Sequence, residues 1–211
     1  MYINIENVSK TIKGSKVLSN INLHFEGGKI YGLKGKNGSG KTMLMRAISG
    51  LIHTEGVIDM NGQILGKDIS FPPSIGLLIE NPSFINSYTG FKNLKVLASI
   101  QNKINDDTIR AVLSDIGLDA NDKRIYKKYS LGMKQRLGIA ASVMEEPDLV
   151  ILDEPINALD ESGAKQVREI LAKQKERGAI CIIACHDTGE LQYLSDEIIE
   201  ISEGKIVEKT S

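Results

Sequence analysis

The chain has 211 residues, of which 41 % are hydrophobic, and a formal charge of −1 from 26 basic and 27 acidic side chains. That length can bury a sizeable core in one domain, or in one domain carrying a subdomain, and that composition excludes a disordered chain. So balanced a charge argues against a dedicated polyanion binder, and no nucleic acid is expected as a partner.

Ile3, Ile5 and Val8, then Ile21, Leu23 and Phe25, alternate with polar residues as half-exposed strands do. Gly27 and Gly28 turn the chain into a short apolar strand over 30–34, and a helix is expected over 43–49, stopping at Gly50. A strand over 56–60 and a second short run flank Asn61-Gly62, which signals a hairpin. From about residue 84 to residue 137 the pattern becomes helical, broken at 105–107 and 119–122. Asp107 is the expected cap of the helix that carries Ile109, Val112, Leu113 and Ile116. The run Leu149-Val150-Ile151-Leu152 suits a central parallel strand buried on both faces. A helix over 164–177, a strand over 179–184, a short helix near 190–194 and two strands over 197–201 and 205–208 complete the series. Strands alternating with helices in this way mean an α/β core.

No apolar run approaches the roughly 18–20 residues of a membrane-spanning helix. The first six residues lack the basic and apolar regions of a signal peptide. A cytoplasmic chain is expected, held at a membrane only through a partner. Cys181 and Cys185 sit about 13 Å apart if their run is a strand, too far for a disulfide, and are expected as buried thiols.

Residues 35–42 read Gly-Lys-Asn-Gly-Ser-Gly-Lys-Thr, a complete G-x-x-x-x-G-K-[ST] loop between the 30–34 strand and the first helix. Glycines let backbone amides curl around a polyphosphate, and the helix N-terminus adds partial positive charge. Gly35, Lys36, Asn37, Gly38, Ser39, Gly40, Lys41 and Thr42 are therefore the expected triphosphate-binding residues. Lys41 would reach the β and γ phosphates and Thr42 would hold Mg²⁺. Asp153 and Glu154 follow the buried 149–152 strand. Behind a phosphate loop, Asp153 suits the metal and Glu154 suits a general base acting on water, although an acidic pair after a strand also serves as a helix cap.

Further motifs carry a resemblance over nearly the whole chain. Ser130-Leu131-Gly132-Met133-Lys134-Gln135-Arg136 resembles the signature segment of ATP-binding cassette (ABC) transporter subunits, and Asn157-Ala158-Leu159-Asp160 resembles their D-loop. His186 stands where the family's switch histidine lies. The resemblance implies a P-loop α/β ATPase over 1–211, with core and antiparallel β subdomain in 1–80 and 141–211 and a helical subdomain at about 81–140. It implies two subunits clamping two ATP molecules, each between one phosphate loop and the other subunit's Ser130, Gly132 and Asp160. It implies Mg²⁺, hydrolysis aided by Glu154 and His186, and a polytopic membrane subunit as partner on the inner face of the membrane. Phe84, Ile85 and Tyr88 would begin the groove that receives that subunit.

Three positions depart from the family pattern. Glu80 replaces the glutamine that ends the strand before the helical segment; it is read as a metal or water ligand with catalytic effect, or as a solvated loop residue. Leu131 replaces a signature glycine. Similarly patterned Ser-Leu-Gly-Met-Lys-Gln-Arg and Leu-Ile-Glu-Asn-Pro segments occur in subunits serving peptide-antibiotic and drug exporters, which implies export. Ile12 occupies the position of an aromatic that stacks on adenine, and base stacking of that kind is worth roughly 1–3 kcal/mol. Two other functions stay open at this point: a soluble ABC-type regulator of a ribosome, DNA or assembly complex, and a clamp that binds ATP but barely hydrolyses it.

Overall fold

The structure, a computed structural model, describes residues 1–185 and 188–210. Strands β1 (Tyr2–Ile12) and β2 (Ser15–Glu26) form a hairpin around Lys13 and Gly14, whose φ angles of 48° and 83° suit a two-residue turn between twisted strands. The apolar residues of this hairpin fall at 3, 5 and 8 and at 18, 21, 23 and 25, so each strand contains one step of three. A bulge absorbs each step. Ile5 faces Leu23, Val8 faces Ile21 and Lys10 faces Leu18, with Asn7 and Asn20 in the left-handed region at the extra residues. All seven apolar side chains thereby stay on one buried face.

β4 (Glu55–Met60) pairs with β1, and β5 (Gln63–Ile64) follows across the expected Asn61-Gly62 turn, giving an antiparallel sheet in the order β2-β1-β4-β5. The second sheet runs β10-β9-β3-β8-β7-β6, from β3 (Lys29–Lys34), β6 (Ile75–Leu78), β7 (Leu149–Asp153), β8 (Ile180–Ala184), β9 (Glu197–Ser202) and β10 (Lys205–Thr210). Its pairings are parallel except at the β9–β10 edge.

β7 and β8 are apolar without alternation because both of their faces are covered. Leu149, Ile151, Ile180 and Ile182 pack with helix α1 (Lys41–Ile48) and the antiparallel sheet. Val150, Leu152, Cys181 and Ile183 pack on the opposite side with α2 (Gly90–Gln101), α3 (Asp106–Asp115), α4 (Leu131–Val143), α5 (Glu161–Glu176) and α6 (Thr188–Leu194). Each fully buried Leu or Ile contributes about 1.5–3 kcal/mol, so this two-sided strand pair anchors whatever follows β7.

Helices α2, α3 and α4 lie between β6 and β7 in the chain, with a single 3-10 turn at Tyr126–Lys128. Side-chain caps set their starts. Thr89 accepts from the Lys92 amide at 3.2 Å, Asn105 from Thr108 at 2.9 Å and Ser130 from Met133 at 3.2 Å. The cap of α3 is thus Asn105 and not Asp107. Asp106 and Asp107 fall in the first turn instead, where their charge still favours the helix N-terminus. Cys181 and Cys185 are both buried and form no disulfide. Among the described residues no helix is long and apolar enough to cross a membrane.

Candidate nucleotide-binding site

β3 ends at Lys34 and α1 begins at Lys41, so the loop between them connects a central strand to a helix N-terminus. Its curvature depends on left-handed backbone. Gly40 caps α1 at φ 115° and ψ 0°, a conformation that a side chain would strain. Neighbouring strands brace the loop: Gly204, in the β9–β10 turn, donates its amide to the Ser39 carbonyl at 2.8 Å. Inside the curve the Lys41 ammonium, buried with its residue only 6 % exposed, donates to the carbonyls of Gly35 at 2.7 Å and Lys36 at 3.2 Å.

The loop and the end of β7 line one cavity of about 330 Å³, to which Val17, Asn37, Lys41, Thr42, Asp153 and Glu154 contribute. Within it Thr42 Oγ1 donates to Asp153 Oδ2 at 2.8 Å. A hydroxyl and a carboxylate this close can share one hard cation, and Mg²⁺ takes only one or two protein ligands beside phosphate and water. The Ser39 hydroxyl is buried without a hydrogen-bond partner, which suits a donor reserved for a phosphate oxygen. The donor set therefore fits a Mg–triphosphate.

Glu154 stands just past the end of β7 at φ 51°, in the left-handed region. Hydrogen bonds from β8, from α4 and within the turn hold it there, the last from the Asn157 amide to the Glu154 carbonyl at 3.2 Å. Its amide donates to the Ala184 carbonyl at 2.9 Å, and Gln135 Nε2 donates to the carbonyls of Glu154 at 2.9 Å and Pro155 at 3.2 Å. Strain of this kind is stored where surrounding structure over-determines a functional loop. Gln135 is itself 8 % exposed and belongs to α4, so the helix that begins at Ser130 also fixes the segment after β7.

Ser130, Gly132 and Asp160 do not join that cavity. They line another, of about 570 Å³, with Leu131, Ala158 and Arg136, and the two cavities share no residue. Asp160 caps α5, and hydrogen bonds from the Gly163 amide and the Ser162 hydroxyl, with Arg136 beside it, hold its carboxyl below the usual range. Leu131 is 63 % exposed there.

Glu80 lies in neither cavity. At φ 63° it turns away from β6 and forms an ion pair with Arg46 of α1, at the rim of a third cavity of about 410 Å³ lined also by Leu51, Pro82, Phe84 and Leu97. Ile12 ends β1 partly exposed and does not line the phosphate cavity, where Val17 of β2 and Met43 of α1 are the apolar residues. His186 falls outside the described residues. Among these side chains, Arg46 and Val17 carry no signal in the sequence, and Gln135 and Arg136 stand out only as members of the 130–136 segment, with no partner implied for either.

A parallel sheet with a phosphate loop before α1 and an acidic pair after β7 defines a P-loop nucleoside triphosphatase. A family model described as ABC transporter matches residues 18–157. An uncharacterized ABC transporter ATP-binding protein of Bacillus subtilis, YybJ, is 48 % identical over 97 % of this chain and 94 % of its own length. The bacitracin transport ATP-binding protein BcrA of Enterococcus faecalis is 39 % identical over 99 % of this chain and 69 % of its own length. A dimeric ATP-binding cassette solved in a post-hydrolysis state with ADP and Pi shares the fold, with a TM-score of 0.89 over 99 % of this chain and 98 % of that one, at 20 % identity. The chain belongs to the ABC transporter family as an ATP-binding subunit, an ABC ATPase.

Proposed function

We propose that two copies of this chain close head to tail around two ATP molecules and that hydrolysis reopens them to drive a polytopic membrane subunit in export. The observation that carries this reading is the division of the site into two cavities without a shared residue. The phosphate loop, Thr42, Asp153 and Glu154 supply one half of an ATP site, while Ser130, Gly132 and Asp160 supply a half that no triphosphate in the first cavity needs. A second subunit completes each.

In this account Lys41 neutralises the β and γ phosphates and Thr42 and Asp153 hold Mg²⁺. Glu154 takes a proton from the attacking water, and His186 helps to orient that water. Glu80 acts on the metal or water only after leaving Arg46. The cavity bounded by Leu51, Phe84 and Leu97 receives a helix of the membrane subunit, with the Arg46–Glu80 ion pair beside it. The 1–211 chain works as one ATPase domain, with the helical segment at about 81–140 carrying one wall of this groove and the 130–132 segment of the half-site. BcrA's role in bacitracin transport and the shared segment pattern support export of an antibiotic-like or amphipathic compound from the cytoplasmic side.

The experiment is affinity purification of the tagged chain from its native membranes in mild detergent. The transporter reading predicts a polytopic membrane protein in stoichiometric amount. A preparation carrying ribosomes, nucleic acid or nothing would overturn the reading in favour of a soluble ATPase.

A further inference from the structure

Arg136 belongs to α4, six residues after the Ser130 cap, and only 14 % of its side chain is exposed. Its guanidinium is shared among three places. Nη1 donates to the Ile116 carbonyl at 2.8 Å and to Gln166 Oε1, and Nη2 donates to Asp160 Oδ1 at 2.8 Å. Ile116 caps the C-terminus of α3, Asp160 caps the N-terminus of α5, and Gln166 lies within α5. A planar fork can satisfy acceptors in three directions at once, which a lysine ammonium on a flexible stem cannot do with the same geometry.

The surroundings are shaped for this group. A Cβ at Gly117 would stand 2.4 Å from Nη1 and a Cβ at Gly163 would stand 2.7 Å from Nη2. Gly163 is the more telling of the two. It sits in the first turn of α5, where alanine is the better helix former, yet only hydrogen leaves room for the guanidinium. The backbones meet as well: a Cβ at Gly132 would lie 2.9 Å from the Ala158 carbonyl.

We propose that Arg136 is a positioning residue that locks the 130–132 segment to the 157–160 segment, so that both reach a second subunit's triphosphate as one rigid half-site. This inference rests on the dimer reading above. Because Asp160 is largely exposed, an unlocked 157–160 loop would be free to lag behind the helix start, and the half-site would close in two uncoupled parts. Arg136 touches no nucleotide in this account. Its effect is on closure, not on ATP capture by the phosphate loop.

The test uses the full chain and three readouts: binding of a fluorescent ATP analogue to the monomer, ATP-dependent dimerisation in a Glu154→Gln background, and melting temperature. Arg136→Lys is expected to weaken dimerisation at least tenfold while monomer affinity changes less than twofold. In turnover the loss falls on kcat, with KM nearly unchanged. Gly163→Ala is expected to mimic Arg136→Lys, because its methyl displaces the guanidinium. Combined with Arg136→Lys it should cost nothing more in dimerisation and should raise the melting temperature. Dimerisation by Arg136→Lys at the parent's strength overturns the positioning role. Additive losses of melting temperature in the double variant overturn the lock itself. If the Glu154→Gln parent stays monomeric with ATP, the dimer reading fails and the positioning role falls with it, whereas the lock is still judged by the melting-temperature cycle.

Discussion

Gln135→Leu tests whether the buried amide on α4 sets the position of Glu154. The substitution roughly keeps the volume and removes both donors, leaving the Pro155 carbonyl without its bond at 3.2 Å and the Glu154 carbonyl with only the Asn157 amide at 3.2 Å. Leaving a buried acceptor unpaired costs about 1–3 kcal/mol. Leucine returns about 1–2 kcal/mol by burying more apolar surface at a site only 8 % exposed. The two largely offset, so the net change lies between about 1 kcal/mol of stabilisation and about 2 kcal/mol of destabilisation, and the melting temperature should fall by no more than roughly 8 °C for a chain of this size. Activity should fall further than stability does. Glu154 keeps its amide bond to Ala184 and its carbonyl bond from Asn157, so the strand end stays paired, but its left-handed turn loses the tether to α4. A displacement of about 1 Å at a reacting group costs on the order of 10²-fold in rate. Steady-state hydrolysis and ATP-analogue binding on the same preparation read this out. The expected result is a large loss of kcat at nearly constant affinity. A folded Gln135→Leu variant with wild-type kcat would refute the reasoning.

Other outcomes follow from the same structure. Arg46→Ala should change the melting temperature little, because an exposed ion pair is worth about 0–1 kcal/mol, but should weaken ATP binding by freeing the Glu80 charge; adding Glu80→Gln should restore affinity, and failure of that rescue would remove Glu80 from the site. Burial pushes the Cys181 thiol up to about 12, so a thiol reagent at pH 8 should label Cys181 only after unfolding. The sign for stability is fixed by the same shift: the contribution is full below the ordinary value of 9.0 and is lost as pH rises toward about 12, so alkaline melting curves should fall in that window. With Ile12 in place of a stacking aromatic, GTP should compete measurably with ATP, and Ile12→Tyr should sharpen the preference for ATP in a competition assay.

The phosphate loop and the acidic pair were legible because their residues are contiguous and their context, a strand before and a helix after, is local. The buried pair β7–β8 was equally legible, since two covered faces leave an unbroken apolar run that no half-exposed strand shows. The two β-bulges were hidden in plain spacing: steps of three between Ile5 and Val8 and between Leu18 and Ile21 break alternation, and only the paired register reveals why. Asn105, Asp106 and Asp107 are nearly equivalent caps by propensity. The structure selects Asn105, whose Oδ1 accepts from both the amide and the hydroxyl of Thr108 at 2.9 and 3.1 Å. The contacts that shape the site were the least legible. Gln135 reaches across 19 residues to Glu154, Arg136 across 24 to Asp160, and Arg46 across 34 to Glu80, distances over which sequence pattern carries no geometry.

The most direct measurement of the central claim is the solution mass and turnover of the Glu154→Gln chain with and without ATP and Mg²⁺. Removing the base while keeping its size should lower hydrolysis by about 10²–10⁴-fold and double the particle mass when ATP is present. A Glu154→Gln chain that hydrolyses ATP at the wild-type rate, or that binds ATP and remains at its single-chain mass, would contradict the account.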